Sequence, residues 1–231
     1  MTTTGAQLRA TEFLDSDSAE VAEFVRRRAP EELGDPMTRA VALYRAVRDQ
    51  VNYEVFGADL SREGLRASGV LGRGSGMCLH KSVLYAATLR AIGVPSRLLL
   101  TDVRNHLSSP RLRELVGGEV FTYHCLTVVH NGQNWVRATP VFNRILCRLY
   151  GIAPLDFDGV HDSLHHPYDL KGRKHMEFLT EHGEFDDLPY ELVLNGLRAA
   201  HPDLFATPTS FVAGTLANDA ARHESTQGEA A

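Results

Sequence analysis

The stretch from Cys78 to Ile92 constrains the fold most, because it reads as a helix with almost no polar side. Val83, Leu84, Ala86, Ala87, Leu89, Ala91 and Ile92 leave no stripe broad enough to face water, so such a helix must lie inside the molecule. Gly93 and Pro95 end it. Glycines at 69, 72, 74 and 76 come just before it and are expected to break regular structure up to Met77. Cys78 therefore opens a buried helix directly after a turn. A thiol placed there lies near free N–H groups and the positive end of the helix dipole, which favours the thiolate. The same N–H groups could receive the negative oxygen that develops when an acyl carbon is attacked. Taken alone, the cysteine reads more simply as a small residue at a tight turn or a core thiol, and the hairpin described below shifts the balance toward the nucleophile.

The surroundings of that helix can be read in part. Asp17 and Ser18 can cap a helix running to about Ala29. Asp35 and Pro36 start a second, in which Met37, Ala40, Val41, Tyr44, Val47 and Val51 recur at spacings of three and four. A short helix can follow Ser61. Residues 96–101 (SRLLLT) form an apolar strand, and Asn105 to Gly118 reads as a loop with one helical turn. Beyond Pro140 the pattern is irregular until a helix from Pro189 to about Ala200. The expected organisation is one domain over residues 1–200 and a flexible tail over 201–231, rich in Ala, Thr, Ser and Gly.

The clearest strand signal is a hairpin. Thr122 to His130 and Gln133 to Thr139 flank Asn131-Gly132, a pair suited to a two-residue turn. In that register His130 faces Gln133, Trp135 faces Val128, and His124 faces Thr139 on one side of the sheet. Cys125 points to the other side.

Two segments, GSGMCLHKSVLYAATLRAIGVPSRL and YHCLTVVHNGQNWVRATP, resemble the cysteine-helix and histidine-hairpin halves of the transglutaminase-like superfamily. AVALYRAVRDQVNYE is similar to the helix that precedes that core, so the resemblance spans roughly residues 12 to 145. It implies an α+β, papain-like fold in which Cys78 opens a central helix packed on an antiparallel sheet that carries His124. Most members have an aspartate followed by proline where this chain has Thr139-Pro140. A hydroxyl stabilises an imidazolium far less than a carboxylate. Asp102, at the end of the SRLLLT strand on the side of His124 away from Thr139, is expected to supply the acid, with Asn143 and Asp162 as weaker alternatives; a turn or cap role for Asp102 is equally open. An acid between cysteine and histidine in chain order resembles the Dieckmann cyclases of tetramate and pyridone biosynthesis, which implies a Cys78, Asp102, His124 triad.

The expected activity is therefore cysteine-dependent acyl transfer: Cys78 takes an acyl chain from a thioester, which a carrier protein can present, and ring closure through carbon releases it. An amide-directed peptidase, amidase or transglutaminase would use the same residues, and a lapsed binding domain would keep the fold without the chemistry. In the enzyme readings Cys78 is expected to be alkylated by iodoacetamide below pH 7 faster than Cys125 or Cys147.

No cofactor is called for. Three cysteines without CxxC spacing suggest neither a disulfide framework nor a cysteine zinc site. His161 and His165 would share a helix face, yet Pro167 and Gly172 argue against a long helix there, and the histidine-rich segment 161–182 is expected to form polar loops over the site. With 24 Lys and Arg against 29 Asp and Glu, a net charge of -5 offers no field for holding nucleic acid. No stretch is apolar enough to span a membrane, and the first ten residues lack a secretory signal's apolar core, so a cytoplasmic location is expected.

Overall fold

The structure is a computed structural model that describes residues 5–205 and 215–219. Helix α1 (Ala19–Arg28) is capped by Ser18, and α2 (Pro36–Gln50) by Asp35, whose carboxylate accepts from the N–H groups of Met37 and Thr38. Ala40, Leu43, Tyr44 and Val47 form the buried face of α2. Strand β1 (Asn52–Tyr53) pairs in parallel with β2 (Ser75–Gly76), and α3 (Arg62–Leu65) and α4 (Ala67–Arg73) lie between them in the chain. The glycine run is thus more regular than expected. Gly69 sits inside α4, where a Cβ would lie 2.1 Å from the carbonyl oxygen of Glu63, and only Gly74, at φ 68°, ends that helix.

Helix α5 (Cys78–Ala91) is the central element, with every residue from Cys78 to Arg90 buried. Lys81 crosses to the end of α2, where its ammonium donates to the carbonyls of Arg48 (2.8 Å) and Val51 (2.6 Å). Burial lowers its pKa to about 7.

Strands β3 (Ser96–Asn105), β4 (Val120–His130), β5 (Trp135–Ala138) and β6 (Met176–Phe185) form an antiparallel sheet in the order β5-β4-β3-β6. Leu98, Leu100, Cys125 and Val129 join the core that contains α5. Ser82 Oγ donates to the Cys125 carbonyl at 2.8 Å and Thr127 Oγ1 to the Ser82 carbonyl at 3.1 Å, which fixes α5 against β4. Leu99, Leu126 and Val128 form a smaller cluster with Trp135 and Leu164. Helices α6 (Pro110–Val116), α7 (Arg144–Tyr150) and α8 (Tyr190–Ala200) complete the elements.

Three sequence expectations change. β3 runs four residues beyond Thr101, and the loop after it holds a two-turn helix rather than one turn. β6 lies in the segment read as irregular, because the apolar residues of this largely exposed edge strand, MEFLTEHGEF, do not alternate with polar ones. The hairpin register also differs: His130 pairs with Trp135 and Thr127 with Ala138. The Asn131 side chain closes a longer turn by accepting from the N–H groups of Gln133 and Asn134, a mimic of backbone turn bonding that the Asn-Gly pair does not announce. The pairing ends at Thr127 and Ala138, so Thr139 is not paired with His124.

Part of the expected flexible tail is packed. His201 is buried, and Thr215–Asp219 forms a helical turn that buries Leu216 in the main core. The Leu216 N–H donates to Glu54 at 2.9 Å, and Ser109 donates to the Asp219 carboxylate. Pro202–Leu204 forms a 3-10 turn, and residues 206–214 and 220–231 lie outside the described residues.

Candidate active site

Cys78 follows β2, whose Gly76 is obligatory: a Cβ there would stand 2.5 Å from the Cβ of His80. The Met77 N–H donates to His80 Nδ1 (3.3 Å), while His80 Nε2 meets the Asp59 carbonyl at 2.9 Å, so the first turn of α5 is held from both sides. Cys78 is 4% exposed. Burial pushes its thiol up to about 11, against the opposing pull of backbone hydrogen bonds at Cys125, Leu79 and Cys78 itself. The thiolate expected from the helix terminus is therefore not the resting form; desolvation outweighs the N–H groups.

His124 lines the same cavity as Cys78. It is 3% exposed, and burial lowers its pKa to about 4. Its Nε2 has no hydrogen-bond partner, and no hydrogen bond joins it to Cys78 among the described residues. Two neutral groups thus share one apolar chamber. Tyr53, Val55, Met77, Phe142, His175 and Leu216 contribute to its walls, which leave about 30 Å³ for a water-sized guest, room for about two waters.

The structure does not bring Asp102 to His124. Its Oδ1 lies 2.7 Å from His182 Nε2 and accepts the Tyr123 N–H at 3.1 Å. β3 does neighbour β4 on the side away from β5, as expected, but the strands on both sides of Asp102 carry irregularities that redirect its carboxylate. Thr139 is fully buried, its Oγ1 unpartnered, and its carbonyl accepts from the Tyr44 hydroxyl at 3.0 Å. Asn143 caps α7 by accepting from Leu146, and Asp162 accepts the Arg137 N–H; both are occupied away from His124.

The histidine-rich segment divides. His161 is exposed and bonded to Asp158, whereas His165 and His175 are buried beside the site. The His165 ring lies 5.3 Å from that of His124 and 5.0 Å from Phe142. His165 Nε2 and His175 Nδ1 have no partners. Among the described residues, no group of three or more His, Cys, Asp or Glu side chains is arranged to hold a metal ion. Cys125 lies in the core under α5, and Cys147 in α7 faces the Phe142 carbonyl. Sequence reasoning placed the segment of His165 and His175 over the site, though as polar loops rather than buried rings, and it missed His201 and Leu216, which stand in no periodic pattern.

The transglutaminase-like superfamily model matches residues 22–140, just over half of the chain, and takes in Cys78, Asp102, His124 and Thr139. The protein belongs to the transglutaminase-like superfamily, whose fold supports a cysteine-based enzymatic activity in general terms. Among solved structures, a candidate cysteine protease from Cytophaga hutchinsonii is similar at 13% identity and a TM-score of 0.44, over 77% of this chain and 52% of that one. The chain thus spans about half of that structure's length. No curated protein matches it. No helix among the described residues is long and apolar enough to cross a membrane.

Proposed function

We propose that the protein is a cysteine-dependent acyl-transfer enzyme with Cys78 as nucleophile and His124 as its proton carrier. The observation that carries this reading is the start of α5: a thiol beside backbone N–H groups, in an apolar chamber that also contains an imidazole with a free nitrogen. Because both groups rest neutral, His124 takes the Cys78 proton as sulfur attacks, rather than holding a preformed ion pair. The S–C bond to Cys78 forms, the substrate's own C–S bond breaks, and the leaving thiol receives the proton. Backbone N–H groups at the helix start stabilise the intermediate oxyanion.

The finer reading is a Dieckmann cyclase. His124 removes an acidic proton from a carbon between two carbonyls of the bound chain; that carbon attacks the acyl-enzyme, a C–C bond forms, and Cys78 leaves as the thiol. Apolar enclosure supports this reading, since water that reached the acyl-enzyme would hydrolyse it first. The Asp102 position no longer supports it, because that carboxylate meets His182.

The test is mass spectrometry with an N-acetylcysteamine thioester. An acyl adduct should form on Cys78, disappear in Cys78→Ala, persist in a Cys125→Ala, Cys147→Ala double variant, and form roughly 100-fold more slowly in His124→Ala. An adduct confined to Cys125 or Cys147 would overturn the assignment. An N-(acetoacetyl)aminoacyl thioester then separates the finer readings: a ring product supports the cyclase, and free acid refutes it in favour of a hydrolase.

A further inference from the structure

Asp102 lies in β3 between irregularities on both neighbouring strands. On β4, Thr101 pairs with His124 and Val103 with Phe121, so Thr122 and Tyr123 together oppose Asp102. On β6, Leu100 pairs with Gly183 and Thr101 with Glu181, which makes His182 an extra residue, and a second shift follows at Asp102, since Val103 pairs with Phe178. Tyr123, at φ 57°, is the only non-glycine described residue with a positive φ, and it immediately precedes His124. Such a conformation costs on the order of 1–3 kcal/mol and persists only where surrounding contacts enforce it.

Those contacts are present. The N–H groups of the two bulged residues are both received by side chains: Thr122 donates to His201 Nε2 at 3.0 Å and Tyr123 to Asp102 Oδ1 at 3.1 Å. The same Asp102 oxygen meets His182 Nε2 at 2.7 Å, and the His182 ring stacks on Tyr123 with centroids 4.6 Å apart. Gly196 of α8 leaves room for the Tyr123 ring, since a Cβ there would stand 1.9 Å from Tyr123 Cε2. His201 is fixed in turn by its Nδ1, 2.7 Å from the Val116 carbonyl.

We infer that Asp102 is a positioning residue which, with His182 and His201, clamps the β4 bulge at Thr122–Tyr123 and thereby aims His124 into the chamber of Cys78. Its importance for the reaction rests on the reading of His124 given above. Asp102 acts through the backbone before the histidine, not through the imidazole. The clamp needs an acceptor atom rather than a negative charge, and that separates it from a triad acid.

The experiment compares Asp102→Asn with Asp102→Leu, following both Cys78 acylation by the N-acetylcysteamine thioester and hydrogen exchange at the Tyr123 amide. Asp102→Asn keeps an acceptor and should stay within about threefold of wild type in both. Asp102→Leu should speed Tyr123 exchange at least tenfold and cut kcat about 100-fold with little change in KM, the scale expected when a reacting group is displaced by about an ångström. Gly196→Ala, which pushes on the Tyr123 ring and leaves Asp102 intact, should give the same pattern at about tenfold in kcat, and it decides the matter if Asp102→Leu does not fold. The clamp is overturned if Asp102→Asn is as damaging as Asp102→Leu, as a triad acid requires, or if Tyr123 exchange is unchanged in Asp102→Leu and Gly196→Ala. Should wild type not acylate at all, the functional reading fails, while the exchange data still judge the clamp.

Discussion

The imidazoles of His124 and His165 lie 5.3 Å apart and are both held neutral, because burial disfavours a charge on either. His80 and His175 share this state, with pKa values lowered to about 4 by burial. The unfolded chain protonates all four near the ordinary histidine value of about 6.5, so it binds more protons than the folded chain below that pH, and stability is lost as pH falls from about 6.5 toward 4. At pH 5 unfolding should therefore take up protons at these histidines, and at His201, whose pKa burial also lowers. Urea midpoints measured from pH 7.5 to 5 should fall steeply; a flat profile would mean that these histidines are already charged in the folded protein.

Alkylation of Cys78 should not resemble that of a preformed thiolate. With burial holding its pKa near 11, the iodoacetamide rate should rise about tenfold per pH unit between pH 7 and 10. This reverses the expectation of rapid reaction below pH 7. Peptide mapping across that range provides the measurement, and a plateau below pH 8 would show that the thiolate is already formed in the resting protein.

Thr139 precedes Pro140 where the family resemblance implies an acid, yet its hydroxyl is buried and unpartnered. A buried hydroxyl without a hydrogen bond costs about 1–3 kcal/mol relative to a satisfied one, so the near-isosteric Thr139→Val should leave thermal stability unchanged or raise it. Acylation of Cys78 should stay within about twofold. A collapse of acylation in a well-folded Thr139→Val would return the orienting role to this position.

What could be read in advance follows from how local each determinant is. Cys78 and His124 stand in segments whose apolar runs and turn residues are continuous in the chain, and the structure places them on one cavity. The partner of Asp102 depends on β6, a largely exposed edge strand, and on single-residue register shifts against both β4 and β6, so no nearby pattern points from Asp102 to His182. The hairpin register turned on the Asn131 side chain, which closes a longer turn than the Asn-Gly pair suggests. Burial of Leu216 was hidden because a single leucine in an Ala- and Thr-rich stretch carries no periodicity.

In the proposed acyl-transfer reading, Leu216 would compete with the acyl chain for space in the cavity of Cys78. Its side chain is 1% exposed and lines the cavity that Cys78 also lines, so in that reading a guest larger than about two waters needs part of that wall, Leu216 included, to move. Releasing a buried leucine costs about 1.5–3 kcal/mol, and an incoming acyl chain would lose about ten- to a hundredfold in apparent affinity to that exchange. Because the competitor is tethered, its local concentration does not fall on dilution, and weak substrates would be excluded at any enzyme concentration. In that reading, selection for chains apolar enough to replace a leucine falls in part to a residue more than a hundred positions away in sequence from Cys78.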